Sequence, residues 1–143
     1  MKIAICGSMK FAKEMLEAKN RLEEMGHIAN VPSDTLQMVS GELDHDDFDK
    51  DRKHCIENDI IREHFRLIEN SDAVLVLNPN KNGIQGYIGG GTLMDIGQAH
   101  NMNKKIFVLN PLPSIDELSY VHEIMTMQPV ILGGDLGAIP KDS

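Results

Sequence analysis

The sequence predicts an α/β fold: a three-layer, flavodoxin- or Rossmann-like domain on a mainly parallel sheet of about five strands. Three observations carry this. Short aliphatic runs alternate with longer segments whose apolar residues recur at helical spacing. The run from Ala73 to Leu77 is aliphatic at every position, as in strands of a parallel sheet buried on both faces. A glycine-rich stretch, Gly86 to Gly91, follows that run and leads directly into a helical pattern.

Taken in order, residues 2–8 read as a buried strand ending in a glycine turn, followed by a helix with Phe11, Met15, Ala18, Leu22 and Met25 on one stripe and Gly26 as its stop. Residues 27–31 suit a second strand, and residues 32–49 have no clean period and read as a loop. One helix is expected over residues 51–70, with Ile56, Ile60, His64 and Leu67 on its apolar stripe. The third strand covers residues 73–78. A helix from Thr92 to Met102 and a fourth strand over residues 105–110 follow, ended by Pro111 and Pro113. Ile115, Leu118, His122 and Met125 mark a last helix before a strand at residues 130–132. A chain of 143 residues without internal repeat or linker is expected to form a single domain, 1–143.

Composition narrows the function. A net charge of −8 without a Lys/Arg stripe argues against a nucleic-acid polymer as partner, while a single nucleotide needs only a local nest of N–H groups and one cation. The acidic run from Glu42 to Asp51 lacks the central glycine and closing glutamate of an EF-hand loop and reads as a solvated loop or helix entry. No tryptophan is present, so an aromatic stacking platform is not expected. Cys6 and Cys55 lie in apolar or helical runs and read as reduced residues of a cytoplasmic protein. No apolar run reaches membrane-spanning length, and neither a metal nor a cofactor is expected.

In an open parallel sheet, ligands bind beyond the carboxyl ends of the strands. Three loops are expected there: residues 7–10, 78–92 and 110–114. The segment Gly89-Gly90-Gly91-Thr92-Leu93-Met94-Asp95 is the most informative. Glycines let backbone N–H groups approach a ligand, a helix start attracts an anion, and a carboxylate follows within reach. Asp95 has two readings. It is either the far member of a capping box begun by Thr92, or a catalytic carboxylate facing an electron-poor carbon such as an anomeric centre. His64 is either a core histidine or a general acid near neutral pH. Lys10 is either a solvated residue or an anion ligand, and Asn78 and Asn80 are either turn residues or ribose or base contacts.

These same residues resemble the nucleoside 2-deoxyribosyltransferase superfamily, which includes 2'-deoxynucleoside 5'-phosphate N-hydrolases. The likeness lies in Cys6-Gly7-Ser8-Met9-Lys10 after the first strand, Ser71-Asp72 with the third strand, and the glycine loop with Met94-Asp95-Ile96-Gly97-Gln98-Ala99. The resemblance implies cleavage or transfer of the N-glycosidic bond of a 2'-deoxynucleoside or its 5'-monophosphate. It places Asp95 where the family has a nucleophilic glutamate. The family's second acid falls eight residues before Asp72, where this chain has His64, and Asp59 is a substitute one turn earlier. Gly7, Ser8 and Lys10 would hold a 5'-phosphate, with Asn78, Gly89, Gly90, Gly91 and Thr92 lining the rest of the substrate site. The resemblance also implies a homodimer or larger homo-oligomer whose subunits complete one another's sites. Two other functions compete: a phosphoribohydrolase of the cytokinin-activating type, whose loop has a proline and a final glutamate that this chain lacks, and a nucleotide-binding module without catalysis.

Overall fold

The side chains of the first strand alternate strictly, and that alternation builds the molecule outward from its centre. In β1 (Lys2–Cys6), Ile3 and Ile5 face one layer, while Ala4 and Cys6 face the other. The computed structural model describes residues 1–44 and 46–141. Its sheet has five strands, all parallel, in the order β2-β1-β3-β4-β5. The other strands are β2 (Ile28–Asn30), β3 (Ala73–Val76), β4 (Lys105–Val108) and β5 (Val130–Ile131).

One face of the sheet is covered by α1 (Ala12–Glu24), whose Met15, Ala18 and Leu22 pack on Ile3, Ile5, Leu75 and Phe107. The helix ends at Gly26, which at φ 94 takes the left-handed conformation that side chains disfavour. The opposite face is covered by α4 (Ile60–Glu69), α5 (Gly90–Asn101) and α6 (Val121–Thr126). Their Ile68, Ile96, Ala99 and Ile124 pack on Ala4, Val74, Val76 and Val108. The expected three-layer α/β fold is therefore the one observed.

Four details differ from the sequence reading. The stretch expected to be loop contains a short helix, α2 (Thr35–Ser40), closed by Gly41 at φ 84. The helix expected over residues 51–70 is two helices, α3 (Phe48–Glu57) and α4. The chain breaks at Asn58-Asp59, where Asp59 has φ 50, a conformation Asp tolerates better than most residues. The last helix is six residues long, and Ile115 and Met125 of its supposed apolar stripe are exposed. Finally, α5 starts at Gly90, two residues before Thr92. Among the described residues no helix is long and apolar enough to cross a membrane.

The register fixes where a ligand has room. Cys6 pairs with Val76, and Val76 with Val108, so β1, β3 and β4 end level. After β1 the chain builds outward to β2, then returns to place β3 on the other side of β1. That reversal leaves a crevice between the loops following β1 and β3, the switch point at which open α/β sheets bind ligands.

Candidate functional site

A cleft of about 480 Å³ occupies this switch point, within the range of small-molecule sites. Its floor is the turn after β1. A Cβ on Gly7 would lie 3.0 Å from the Leu77 carbonyl oxygen and 3.4 Å from Met15 Cε, so this turn passes too close to β3 for a side chain. Ser8 caps a single 3-10 turn, Met9–Phe11, by accepting from the Lys10 N–H at 3.3 Å. Ser8 and Lys10 both line the cleft.

The second wall is the loop after β3 and the start of α5. Gly86 holds this loop in place. At φ 75, with a would-be Cβ 2.2 Å from the Pro111 carbonyl oxygen, no other residue fits without rebuilding the turn. Gly90 and Gly91 are different. A Cβ on either would meet nothing within 4 Å, so no packing within the described protein demands them. They line the cleft with Gly89, the N-cap residue, whose helix start receives no side-chain cap. The first N–H groups of α5 are thus left available to an acceptor from outside.

This start of α5 removes the capping-box reading of Asp95. With Gly89 as N-cap, Thr92 is the third helical residue and Asp95 the sixth, too far along to reach back to the cap. Asp95 is buried, 6% exposed, and makes no hydrogen bond or ion pair with a described residue. It lines the cleft beside Gly91 and Met94. Burial without a compensating partner raises its pKa from the usual 3.8 to about 7. The Cys6 thiol beneath is pushed well above its usual range, first by its own burial and then by the Asp95 charge.

The third wall is helical. His64 enters from α4, with its Nε2 buried and unpartnered and its pKa lowered by burial, partly offset by the charges of Asp34 and Glu63. Asp34, Phe48, Asp51 and Cys55 also line this wall. The acidic run read as a solvated loop or helix entry thus leads into α3, capped by the Asp47 carboxylate accepting from the Lys50 N–H, and brings its face to the cleft. Burial, aided by Asp51 and Asp34, raises the Cys55 thiol pKa.

The structure therefore brings together Gly7, Ser8, Lys10, His64, Gly89, Gly90, Gly91, Thr92 and Asp95. Asn78 does not join them. It is fully buried, its amide donates to the carbonyls of Asn110 at 2.9 Å and Gly86 at 3.3 Å, and its Oδ1 accepts from the Asn110 N–H at 2.9 Å. It ties the loop after β3 to the loop after β4, which is also why residues 110–114 do not border the cleft. Asp59 is likewise outside. It stands at the break between α3 and α4, exposed, with its carboxylate on Arg62 at 2.7 Å.

Several cleft residues escaped the sequence reading, Asp34, Lys81 and Tyr87 among them. Lys81 donates to Ser8 Oγ at 3.0 Å and lies 5.5 Å above the ring of Tyr87, so one cation spans the two loops. Its position comes from a two-residue hairpin in which Asn82 and Gly83 have φ 56 and 77 and Lys81 bridges Ile84. The Asn-Gly pair was the available signal. Among the described residues no group of three or more His, Cys, Asp or Glu side chains is arranged to hold a metal ion.

No protein-family model matches the chain, and no curated protein matches it in sequence. Among solved structures it is similar to the Clostridium botulinum CMP N-glycosidase BcmB, with a TM-score of 0.52 and 17% identity, covering 93% of this chain and 89% of that one. The chain thus shares its fold with that protein along nearly its whole length.

Proposed function

We propose that the protein cleaves the N-glycosidic bond of a 2'-deoxynucleoside 5'-monophosphate or the corresponding nucleoside, with Asp95 as nucleophile. The observation that carries this reading is a buried carboxylate, without a protein partner, in a nucleotide-sized cleft behind an uncapped glycine helix start. In the ionised state an Asp95 oxygen attacks the anomeric carbon, and the pair of the breaking C–N bond leaves with the base. His64 donates a hydrogen bond or proton to that base. Water then attacks the glycosyl ester, releasing sugar and regenerating the carboxylate. A second base in place of water gives transfer instead.

Aspartate is one methylene shorter than the family's glutamate, about 1.3 Å along the chain. The open space over Gly90 and Gly91 offsets this, since the sugar can approach the α5 backbone where a side chain would hold it away. The phosphate is assigned to Ser8, Lys10 and the first N–H groups of α5, with Lys81 close enough to join. The similar structure is named for CMP, a ribonucleotide, so ribose is the specific alternative for the sugar.

The test is incubation with deoxynucleosides, their 5'-monophosphates and the matching ribonucleotides, followed by chromatography for free base. Base release from at least one monophosphate is expected, and Asp95→Ala should reduce it at least a thousandfold, in line with loss of a covalent nucleophile. Release of ribose 5'-phosphate only would favour the phosphoribohydrolase reading. Tight nucleotide binding without base release under any condition would favour the non-catalytic module.

A further inference from the structure

Asp34 and His64 line the cleft from different elements, and each has a buried polar atom with no partner. Asp34 lies just before α2, is 4% exposed, lines the cleft, and has a buried Oδ1 that makes no hydrogen bond. It occupies the N-cap position of α2 yet accepts from no helix N–H, so the usual structural use of an aspartate there is absent. Its Oδ2 is approached by His54 Nε2 at 3.5 Å, in an alignment that makes no hydrogen bond, which leaves Oδ1 as the free oxygen. His64, which lines the same cleft, has an Nε2 that is also buried and unpartnered. Each such atom is costly to bury, and folded proteins keep few of them. Two in one ligand-sized cleft are groups that a ligand can pair.

We propose that Asp34 and His64 form the base-recognition wall of the cleft and select nucleobases that carry an exocyclic amine beside an unprotonated ring nitrogen, as cytosine and adenine do. The proposal rests on the N-glycosidase reading and adds the class of base to it. With both side chains turned toward the bound base, Asp34 Oδ1 accepts from the exocyclic amine, and His64 Nε2–H donates to the neighbouring ring nitrogen. Uracil and hypoxanthine reverse both groups, offering a carbonyl in place of the amine and an N–H in place of the ring acceptor. A neutral imidazole can follow that reversal by changing tautomer, so His64 alone tolerates either edge. A carboxylate cannot, because it has no hydrogen to give, and a carbonyl placed against it sets lone pair against lone pair. Asp34 is therefore the residue that discriminates. A site that hydrogen-bonds one edge rejects the reversed edge through its own unpaired polar atoms.

The experiment is calorimetric titration of the Asp95→Asn protein, which binds without consuming ligand, with dCMP, CMP and dAMP against dUMP, UMP and dIMP at one salt concentration. The amine-bearing nucleotides should bind at least tenfold more tightly than their carbonyl counterparts. In Asp95→Asn combined with Asp34→Asn the ratio should fall below threefold, since an amide N–H can meet a carbonyl. A readout that needs no Asp34 substitution is the amine proton pair of 15N-labelled dCMP, which becomes inequivalent and slow to exchange when a carboxylate holds one proton. Equal binding of dCMP and dUMP, or averaged and fast-exchanging amine protons, overturns the base wall and leaves the N-glycosidase reading standing. Binding of none of the six nucleotides overturns both.

Discussion

A carboxylate that must act as a nucleophile is useful only when ionised, and burial works against that state. For Asp95 the conflict has a definite sign. Its pKa rises from 3.8 to about 7 on folding because the side chain leaves water without gaining a partner. Below about pH 3.8 both folded and unfolded chains hold the proton and nothing is lost. Between 3.8 and 7 the unfolded chain has released it while the folded chain keeps it, so stability falls as pH rises, by on the order of 4 kcal/mol in total. Asp95→Asn removes the titrating group while keeping the shape. It should melt well above the parent at pH 8, with a difference that shrinks towards pH 4, and should release no base. Parallel melting curves for the two proteins across that range would contradict the buried, unpaired carboxylate. In the parent, kcat/KM should fall about tenfold per unit below pH 7, as the nucleophile is protonated. The position of Asp95 was readable from its glycine loop. Its freedom from capping was not, because Thr92 and Asp95 have capping-box spacing, and only the start of α5 at Gly90 removes that option.

Elements place these groups, and the junctions between elements were the least legible part of the chain. A continuous helical period over residues 51–70 conceals the break at Asp59, since Asn58 and Asp59 also suit a helix surface. The break matters because it lets Asp51 and Cys55 of α3 and Ile60 and His64 of α4 border the same cleft. Asn78 shows the opposite error, a polar residue at a strand end that reads as a ligand contact and is a structural tie. Its amide and Oδ1 satisfy the Asn110 backbone and the Gly86 carbonyl, fixing the loop that carries Lys81 and leads to α5. Asn78→Ala should leave these buried groups unpaired, lowering stability by about 3 kcal/mol and Tm by about 10 °C. A ligand-contact role would instead raise KM and leave the melting temperature within a degree or two of the parent. The three central strands, β1, β3 and β4, were legible because their aliphatic runs are buried in both layers, and there propensity, burial and pairing agree.

At the scale of the whole molecule, the cleft opens beside an apolar face that the chain itself leaves uncovered. Phe48, Ile61 and Met94, from α3, α4 and α5, line the cleft and are 71%, 52% and 44% exposed, and Ile56 of α3 is 72% exposed. Clustered large side chains of this kind mark a contact surface more often than a solvated one. We propose a second copy of this chain as the occupant, whose symmetric contact would bury the same residues of both subunits and close each cleft against water. The net charge of −8 opposes that association, and salt screens the repulsion without weakening apolar contact. Light scattering after size exclusion should therefore give a dimer or larger assembly at micromolar protein, held more firmly at 0.5 M than at 0.05 M salt. Ile56 is exposed on α3 and does not line the cleft, so Ile56→Asp separates assembly from chemistry. It should yield a folded monomer with the Tm of an isolated subunit and a base-release rate reduced at least tenfold, recovered in part at high protein concentration. A parent protein that is monomeric throughout, or a monomeric Ile56→Asp variant with undiminished base release, would show that one chain completes the site alone.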